Sequence, residues 1–199
     1  MIGVIDYGAG NLFSVTNALR FLGLEYDVVS DERGLREADR LILPGVGAFP
    51  DAMESLKKTG LDKVIKEESE KKPLLGICLG MQMLFEKSDE YGETKGLGLI
   101  PGKVVKMQET GLKIPHMGWN EVTPERPCAL SKGVRDGDRF YYVHSYKAVT
   151  DPEYISLSSE SGTKVPGLVF RDKVFGAQFH PEKSGKLGLA MLKCFGGLK

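Results

Sequence analysis

The sequence lacks the features that mark several broad classes of protein. Lys+Arg and Asp+Glu number 27 each among 199 residues, so the formal net charge is zero. This removes the bulk electrostatic attraction on which binders of nucleic acid or anionic membranes usually depend. The longest nearly apolar run, residues 74–85, is shorter than the about 20 residues that span a bilayer. Because no signal peptide is visible either, the sequence predicts a cytoplasmic protein with neither nucleic acid nor membrane as a partner.

Cysteine and histidine are also scarce, with three residues of each. Three cysteines cannot all pair within one chain, so a disulfide framework is not expected, as is typical of a reducing compartment. Cys128 and Cys194 are interpreted as structural or incidental. Neither the spacing of metal ligands nor a phosphate-binding loop is present. Gly8-Ala9-Gly10 begins like a dinucleotide fingerprint but lacks its third glycine, and the sequence therefore predicts no metal and no cofactor.

What is present is the composition of a globular chain, with 41% hydrophobic and 27% charged residues. The length predicts one large domain or at most two small ones. In the first half, apolar strands (2–6, 26–29, 40–43, 74–77) alternate with amphipathic helices (12–22, 48–72 with a break near Gly60, 79–87). Later strands are shorter and more alternating (104–107, 140–143, 154–157, 167–170, 174–179), and a last helix covers 185–195. We expect a single α/β domain over 1–199, with a mostly parallel, flavodoxin/Rossmann-like central sheet flanked by helices and an antiparallel β extension.

The strongest chemical signal is Gly76-Ile77-Cys78-Leu79-Gly80, at a junction between strand and helix. It has the form of a nucleophile elbow, in which the tight turn requires glycine on both sides and projects the nucleophile away from the sheet. A helix N-terminus also favours the reactive thiolate. A lone cysteine would more simply be a buried core residue. The two glycines at fixed spacing favour Cys78 as a nucleophile.

A nucleophile needs a base, and His180 follows an apolar strand in Gln178-Phe179-His180-Pro181-Glu182. In an extended chain, residues two apart point to the same side, so we expect the Glu182 carboxylate to approach the His180 ring. Carboxylate, imidazole and thiol then form a Cys-His-Glu triad in which the imidazole moves the proton. Each residue alone is simply a polar residue at a strand end, but the set indicates catalysis.

Acyl transfer also needs donors for the developing oxyanion. The Leu79 N–H, directly after the nucleophile, is one candidate. Pro44-Gly45-Val46-Gly47 ends another strand, and its glycines allow positive φ and a close approach to a ligand, so we assign the second donor to the Val46 N–H. An ordinary glycine turn is the simpler reading of this motif taken alone.

These motifs stand in the order found in class I glutamine amidotransferases, which the chain resembles over essentially its whole length. Further segments resemble the glutaminase subunits of imidazole glycerol phosphate synthase, from histidine biosynthesis. They are Pro115-His116-Met117-Gly118-Trp119-Asn120-Glu121, Tyr141-Tyr142-Val143-His144-Ser145-Tyr146 and Glu182-Lys183-Ser184.

The resemblance implies that the chain hydrolyses glutamine to glutamate and ammonia. The ammonia would pass, within a heterodimer, to a cyclase subunit, a barrel enzyme that makes imidazole glycerol phosphate and AICAR. It also implies that the glutamine is held by Gly47, Gln82, Glu90, Ser145 and Tyr146. Asp89 offers a second carboxylate beside Glu90.

Three residues of the histidine-containing segment, His116, Trp119 and Asn120, are candidates for a partner interface that gates the site. Trp119 could equally be a core residue. Three alternatives to the main reading remain. The chain could be a glutaminase subunit of pyridoxal phosphate or anthranilate synthesis, against which His116-Met117-Gly118-Trp119-Asn120 argues. It could be a catalytically idle assembly protein of the same fold, against which the intact triad argues, or an unrelated cysteine hydrolase, for which the other motifs would be coincidence.

Overall fold

The protein is described by a computed structural model that covers residues 1–108 and 114–199. Six α-helices and fourteen strands are present in these residues. The helices are α1 (Leu12–Phe21), α2 (Glu32–Glu37), α3 (Phe49–Lys58), α4 (Leu61–Ser69), α5 (Leu79–Met83) and α6 (Gly185–Gly196). The strands are β1 (Ile2–Ile5), β2 (Tyr26–Val29), β3 (Arg40–Gly45), β4 (Leu74–Cys78), β5 (Phe85–Ser88), β6 (Thr94–Lys95), β7 (Ile100–Lys106), β8 (His116–Glu121), β9 (Thr123–Pro124), β10 (Arg139–His144), β11 (Tyr146–Val149), β12 (Ile155–Glu160), β13 (Lys164–Arg171) and β14 (Val174–Ala177).

The central sheet has eight strands in the order β2-β1-β3-β4-β14-β13-β12-β9. The first five strands of this order pair in parallel. Strands β13, β12 and β9 extend the sheet by antiparallel pairing. The parallel part has the 2-1-3-4-5 order of flavodoxin-like folds. The predicted fold class, a mostly parallel sheet with an antiparallel extension, is confirmed.

Helices cover both faces of this sheet, as its apolar strands require. Adjacent residues of β3 point to opposite faces: Leu41 and Leu43 pack in a cluster with side chains of α3 and α4, whereas Ile42 packs with side chains of α1 and α6. Two core clusters therefore lie on the two faces of one sheet. None of the helices within residues 1–108 and 114–199 is long and apolar enough to cross a membrane.

Two smaller sheets lie beside the central one, β10-β8 and β11-β7-β5-β6. In the antiparallel β8–β10 pair, His116 lies opposite His144 and Trp119 opposite Tyr141. Because side chains alternate along a strand, the face of β8 that carries His116 and Asn120 is half-buried, while the face that carries Trp119 is exposed.

The predicted helix over 79–87 is wrong in its second half. The helix α5 ends at Met83, and the chain continues as the strand β5. The N–H groups of Leu97 and Leu99 donate to the carbonyls of Met83 and Leu84 at 2.8 Å each. Tertiary pairing thus takes the carbonyls that a longer helix would need, and it overrides the local helical pattern.

Five further elements, α2, β6, β8, β9 and β11, are not predicted by the sequence patterns above. The short helix α2 begins after Asp31, whose Oδ1 accepts a hydrogen bond from the Gly34 N–H at 2.8 Å. An aspartate before the helix is a sequence signal for it. The strand β8 coincides with the histidine-containing motif, but its alternation is masked by Gly118 and by histidine and asparagine on its half-buried face.

Candidate active site

The strand order brings the predicted reactive residues to one edge of the central sheet. Strands β3, β4 and β14 are neighbours and parallel, so their carboxyl ends lie side by side. Gly45 is in register with Cys78, and Ala177 is in register with Ile77. The segment after Ala177 leads directly to His180. Sites of open parallel sheets form at this carboxyl edge.

Cys78 sits in a strained elbow between β4 and α5. Its φ of 54° and ψ of −111° place a residue with a side chain in backbone that usually takes glycine. A Cβ added to Gly76 would lie 2.5 Å from the Gly80 carbonyl oxygen, and one added to Gly80 would overlap the Leu43 carbonyl. This is the steric reason for both glycines of the motif. Such strain persists where the surrounding structure fixes it, often at functional sites.

His180 and Glu182 form a buried pair behind the thiol. The His180 Nδ1 and Glu182 Oε1 atoms are 2.7 Å apart, and the two side chains are 3% and 1% exposed. The expected extended geometry is wrong, because Pro181–Lys183 forms a 3-10 turn that returns the carboxylate to the ring. Backbone contacts fix the ring's position: the His180 N–H donates to the Tyr141 carbonyl at 2.9 Å, and the Ser184 hydroxyl donates to the His180 carbonyl at 2.6 Å.

The environment of His180 favours its charged form. Burial lowers its pKa, but the Cys78 sulfur and the Glu182 carboxylate outweigh burial and raise the pKa to about 9. The carboxylate fixes the proton on Nδ1, which leaves Nε2 to face the reacting group. The arrangement therefore places a charged imidazole beside the nucleophile, where the sulfur attacks and the ring later supplies a proton.

The sulfur has two further polar neighbours. The Val143 carbonyl lies 3.7 Å from Cys78 Sγ, where it accepts from the thiol form. The Gln178 amide nitrogen lies 4.0 Å away, on the side from which it can donate to a thiolate. Gln178 is not among the predicted site residues. Its signal in the sequence is a glutamine inside an otherwise apolar run, and it is fully buried.

The candidate oxyanion donors lie on either side of the elbow. Leu79 begins α5, and Val46 follows β3 and is 46% exposed. Gly47 takes the expected positive φ, 102°, whereas Gly45 does not. Gly45 is needed for a different reason, because a Cβ there would lie 2.6 Å from the Gly80 nitrogen. The loop and the elbow are therefore in direct backbone contact.

A cavity of about 650 Å³ opens over Cys78. It is lined by the candidate oxyanion residues Val46 and Leu79, by His180, and by every residue expected to hold glutamine: Gly47, Gln82, Glu90, Ser145 and Tyr146. The volume is in the range of small-molecule sites. Glu182 is not in the lining, since it lies behind the imidazole.

Glu90, rather than Asp89, faces this cavity. Glu90 is 8% exposed and lines the cavity, while Asp89 is exposed to solvent. The Glu90 carboxylate accepts a hydrogen bond from the Phe49 N–H at 2.8 Å, at the start of α3. Burial, with the nearby Asp51 and Asp89 charges, raises the pKa of Glu90 despite the Phe49 bond. Among residues 1–108 and 114–199, no lysine or arginine forms an ion pair with Glu90, and a buried carboxylate beside the cavity suits the ammonium group of an amino acid.

Gln82 has a fixed orientation in the same cavity. Its Nε2 donates to the Tyr146 carbonyl at 3.0 Å and to the Gln178 Oε1 at 3.1 Å. Both donor hydrogens are thus used, and the Gln82 carbonyl oxygen is the atom that remains for a ligand. Gln82 therefore offers the cavity an acceptor.

The candidate interface residues line a second cavity of about 540 Å³. His116 and Asn120 are half-buried in its lining. Trp119 is 56% exposed and contacts Tyr141 edge-on, with ring centroids 6.2 Å apart. Met117 beside it is 62% exposed. The core reading of Trp119 is therefore wrong.

Comparison with known proteins decides the family of the chain. The family model for class-I glutamine amidotransferase matches residues 3–195. The chain belongs to this family. The amidotransferase is 52% identical over 199 residues to the imidazole glycerol phosphate synthase subunit HisH of Bacillus cereus, in an alignment that covers 100% of this chain and 95% of that protein. HisH of Bacillus anthracis gives the same identity and coverage.

Solved structures agree with this amidotransferase in fold. PurLQS from Thermotoga maritima matches with a TM-score of 0.78 at 20% identity, over 98% of this chain and 96% of that one. A glutamine amidotransferase, also from Thermotoga maritima, matches with a TM-score of 0.63 at 20% identity, over 91% of this chain and 75% of that one. The resemblance to class I amidotransferases is confirmed, and an unrelated cysteine hydrolase is excluded.

Proposed function

We propose that this amidotransferase is the glutaminase subunit of an imidazole glycerol phosphate synthase, acting in histidine biosynthesis. The observation that carries the proposal is the arrangement of Cys78, in a strained elbow, with the buried His180–Glu182 pair at the base of one cavity. Identity of 52% with HisH proteins over the full length of the chain supports the choice of synthase.

In the proposed reaction, the Cys78 thiolate attacks the side-chain amide carbon of glutamine. The tetrahedral oxyanion is held by the Leu79 and Val46 N–H groups. Protonated His180 gives its proton to the leaving ammonia, and a glutamyl thioester remains on the sulfur. Water, deprotonated by the now neutral His180, hydrolyses the thioester to glutamate. Glu182 orients the imidazole and stabilises its charged form.

The remaining cavity residues hold the amino-acid part of the substrate. The Glu90 carboxylate faces the substrate ammonium group, and the Gln82 carbonyl oxygen accepts from an N–H of the substrate. Gly47, Ser145 and Tyr146 supply backbone close to the carboxylate and the chain of glutamine. This reaction uses no metal and no cofactor.

The ammonia passes to a separate cyclase subunit, which forms a heterodimer with this chain and makes imidazole glycerol phosphate and AICAR. The exposed Trp119 and Met117 beside His116 and Asn120 form the candidate docking face, since a large aromatic anchor is typical of such interfaces. Residues 1–199 act as one domain, which the two core clusters on one central sheet support. The three unpaired cysteines fit a cytoplasmic location.

The decisive experiment measures glutamine hydrolysis by this chain, alone and mixed with the cyclase subunit of a HisH-containing synthase. We expect glutamate release in the mixture, coupled to formation of imidazole glycerol phosphate. A well-assembled complex that uses ammonia but never glutamine would favour a catalytically idle assembly protein instead.

A further inference from the structure

Four polar groups connect the second cavity to the glutamine site. The Asn120 Nδ2 atom lies 3.2 Å from His116 Nε2 and 3.0 Å from the Glu160 carbonyl. His116 Nδ1 lies 3.0 Å from His144 Nε2. His144 Nδ1 lies 2.8 Å from the Tyr146 carbonyl. The two histidines meet because β8 and β10 place them directly opposite each other.

The Tyr146 carbonyl at the end of this series of hydrogen bonds determines which atom donates in each of them. A carbonyl can only accept, so the Tyr146 oxygen requires a proton on His144 Nδ1. In a neutral His144 ring, Nε2 is then an acceptor and His116 Nδ1 must donate to it. By the same reasoning, His116 Nε2 accepts from Asn120. The second hydrogen of the Asn120 amide goes to the Glu160 carbonyl, so all four ring nitrogens and both amide hydrogens have partners.

The surroundings keep both rings neutral. Burial lowers the pKa of His144 to about 3, against the opposing effect of the Tyr146 carbonyl. Burial also lowers the pKa of His116. A second proton on His144 would set two donors against each other across the 3.0 Å contact with His116. A second proton on His116 would do the same across its 3.2 Å contact with the Asn120 amide nitrogen. Stacking on Tyr142, with ring centroids 4.9 Å apart, further limits the rotation of His116.

This series of hydrogen bonds ends at the Tyr146 carbonyl oxygen, which also holds Gln82 in the glutamine site. The Tyr146 carbonyl accepts from His144 and from Gln82. Its second donor, Gln82, uses one amide hydrogen there, and this bond turns the Gln82 carbonyl oxygen towards the substrate. Without His144, the Tyr146 carbonyl loses one of the two side-chain hydrogen bonds that it accepts.

We propose that His144, supported by His116 and Asn120, is a positioning residue for glutamine binding, which acts by holding the Tyr146 carbonyl against Gln82. The proposal rests on the proposed function. His144 lines the glutamine cavity, but its two ring nitrogens are bonded to the Tyr146 carbonyl and to His116, so its loss weakens glutamine binding more than it slows the chemical step.

Two variants of similar size separate this role from mere packing. His144→Asn retains a donor near the position of Nδ1, whereas His144→Leu retains none, and both remove the ring. In the complex with the cyclase subunit, we expect KM for glutamine to be about three- to tenfold higher for His144→Leu than for His144→Asn, the worth of about one buried hydrogen bond. The two kcat values should agree within about twofold, and ammonia-dependent synthesis reports that both complexes are intact.

Equal KM values for the two variants, with an active wild type, would overturn the positioning role and leave the proposed function standing. A wild-type complex without glutamine hydrolysis would instead refute the proposed function.

Nitrogen-15 NMR of the imidazoles in the wild-type chain tests the same inference without a variant. We expect His116 and His144 to be neutral with the proton on Nδ1, and a proton on Nε2 of either ring would overturn the chain of donors.

Discussion

Replacing Glu182 by glutamine tests how the buried pair sets the chemistry. The glutamine is nearly isosteric and keeps an oxygen that can accept from His180 Nδ1, so we expect the fold to survive. It removes the charge that, with Cys78, raises the pKa of His180 to about 9. A hydrogen bond to a charged group contributes about 1.5–3 kcal/mol, and a change of one in pKa corresponds to about 1.4 kcal/mol. The pKa of His180 should therefore fall by about one to two.

The consequence is a change in the pH profile of glutamine hydrolysis. His180 must be protonated to release ammonia, so kcat falls as pH rises through the pKa of His180 in the enzyme–substrate complex. In Glu182→Gln, we expect this alkaline fall to begin about one to two pH units lower, with a lower kcat at its maximum. The assay is glutamate release by the complex with the cyclase subunit between pH 6 and 10. An alkaline limb that does not move would show that Glu182 has no electrostatic role and would refute the reasoning.

Three other outcomes concern the reactive and exposed side chains, and a fourth concerns stability. In Cys78→Ser, glutamine-dependent synthesis should be lost while ammonia-dependent synthesis by the complex survives, and loss of both with intact assembly would contradict the division of labour between subunits. Iodoacetamide should label Cys78 faster than Cys128 or Cys194, as read by a peptide map. Trp119→Ala should weaken binding of the cyclase subunit or its stimulation of glutamine hydrolysis, since an exposed aromatic anchor would be lost. If a binding titration with the cyclase subunit and the rate of glutamine hydrolysis were both unchanged, Trp119 would not be an interface residue. The His180 contribution to the free energy of unfolding should be complete below about pH 6.5 and lost as pH rises to about 9, because its pKa is raised on folding, and chemical denaturation across that range measures it.

The motifs are predictable from the sequence because each depends on local geometry. Gly76 and Gly80 flank Cys78 at a spacing that only a tight turn explains, and the Cβ overlaps at both positions bear this out. The pairing of His180 with Glu182 is also predictable. The extended route expected between them is wrong, since a 3-10 turn joins them. Residue identity determines which groups can pair, while the backbone route between them depends on Pro181 and on the bonds of Ser184 to Tyr141 of β10 and to His180.

Contacts between residues far apart in the chain are not predictable from the local sequence patterns. The strand β14 inserts beside β4 although about a hundred residues separate them in the chain, and no local pattern announces this neighbour. For the same reason Gln178 is not selected by sequence reasoning, because its contact with Gln82 exists only once those two strands are adjacent. The His116–His144 contact likewise depends on the register of β8 against β10.

The direction of the Val46 N–H can be predicted when the glycine motif is combined with the hydrogen bonds of β3. The Leu41 N–H donates to the carbonyl of Pro73, the residue directly before β4. The Pro44 carbonyl points to the opposite side of β3 and accepts from the hydroxyl of Tyr7, which follows β1. The strand ends at Gly45, and its alternation, extended by one residue, predicts that the Val46 N–H faces the β1 side, away from Cys78. Rotation of the Gly45–Val46 peptide is then needed to complete the oxyanion hole, and one missing donor costs on the order of 10²–10³ in rate. We therefore expect the isolated chain to hydrolyse glutamine slower than its complex by about that factor, and equal rates would mean that the Val46 N–H already faces the site.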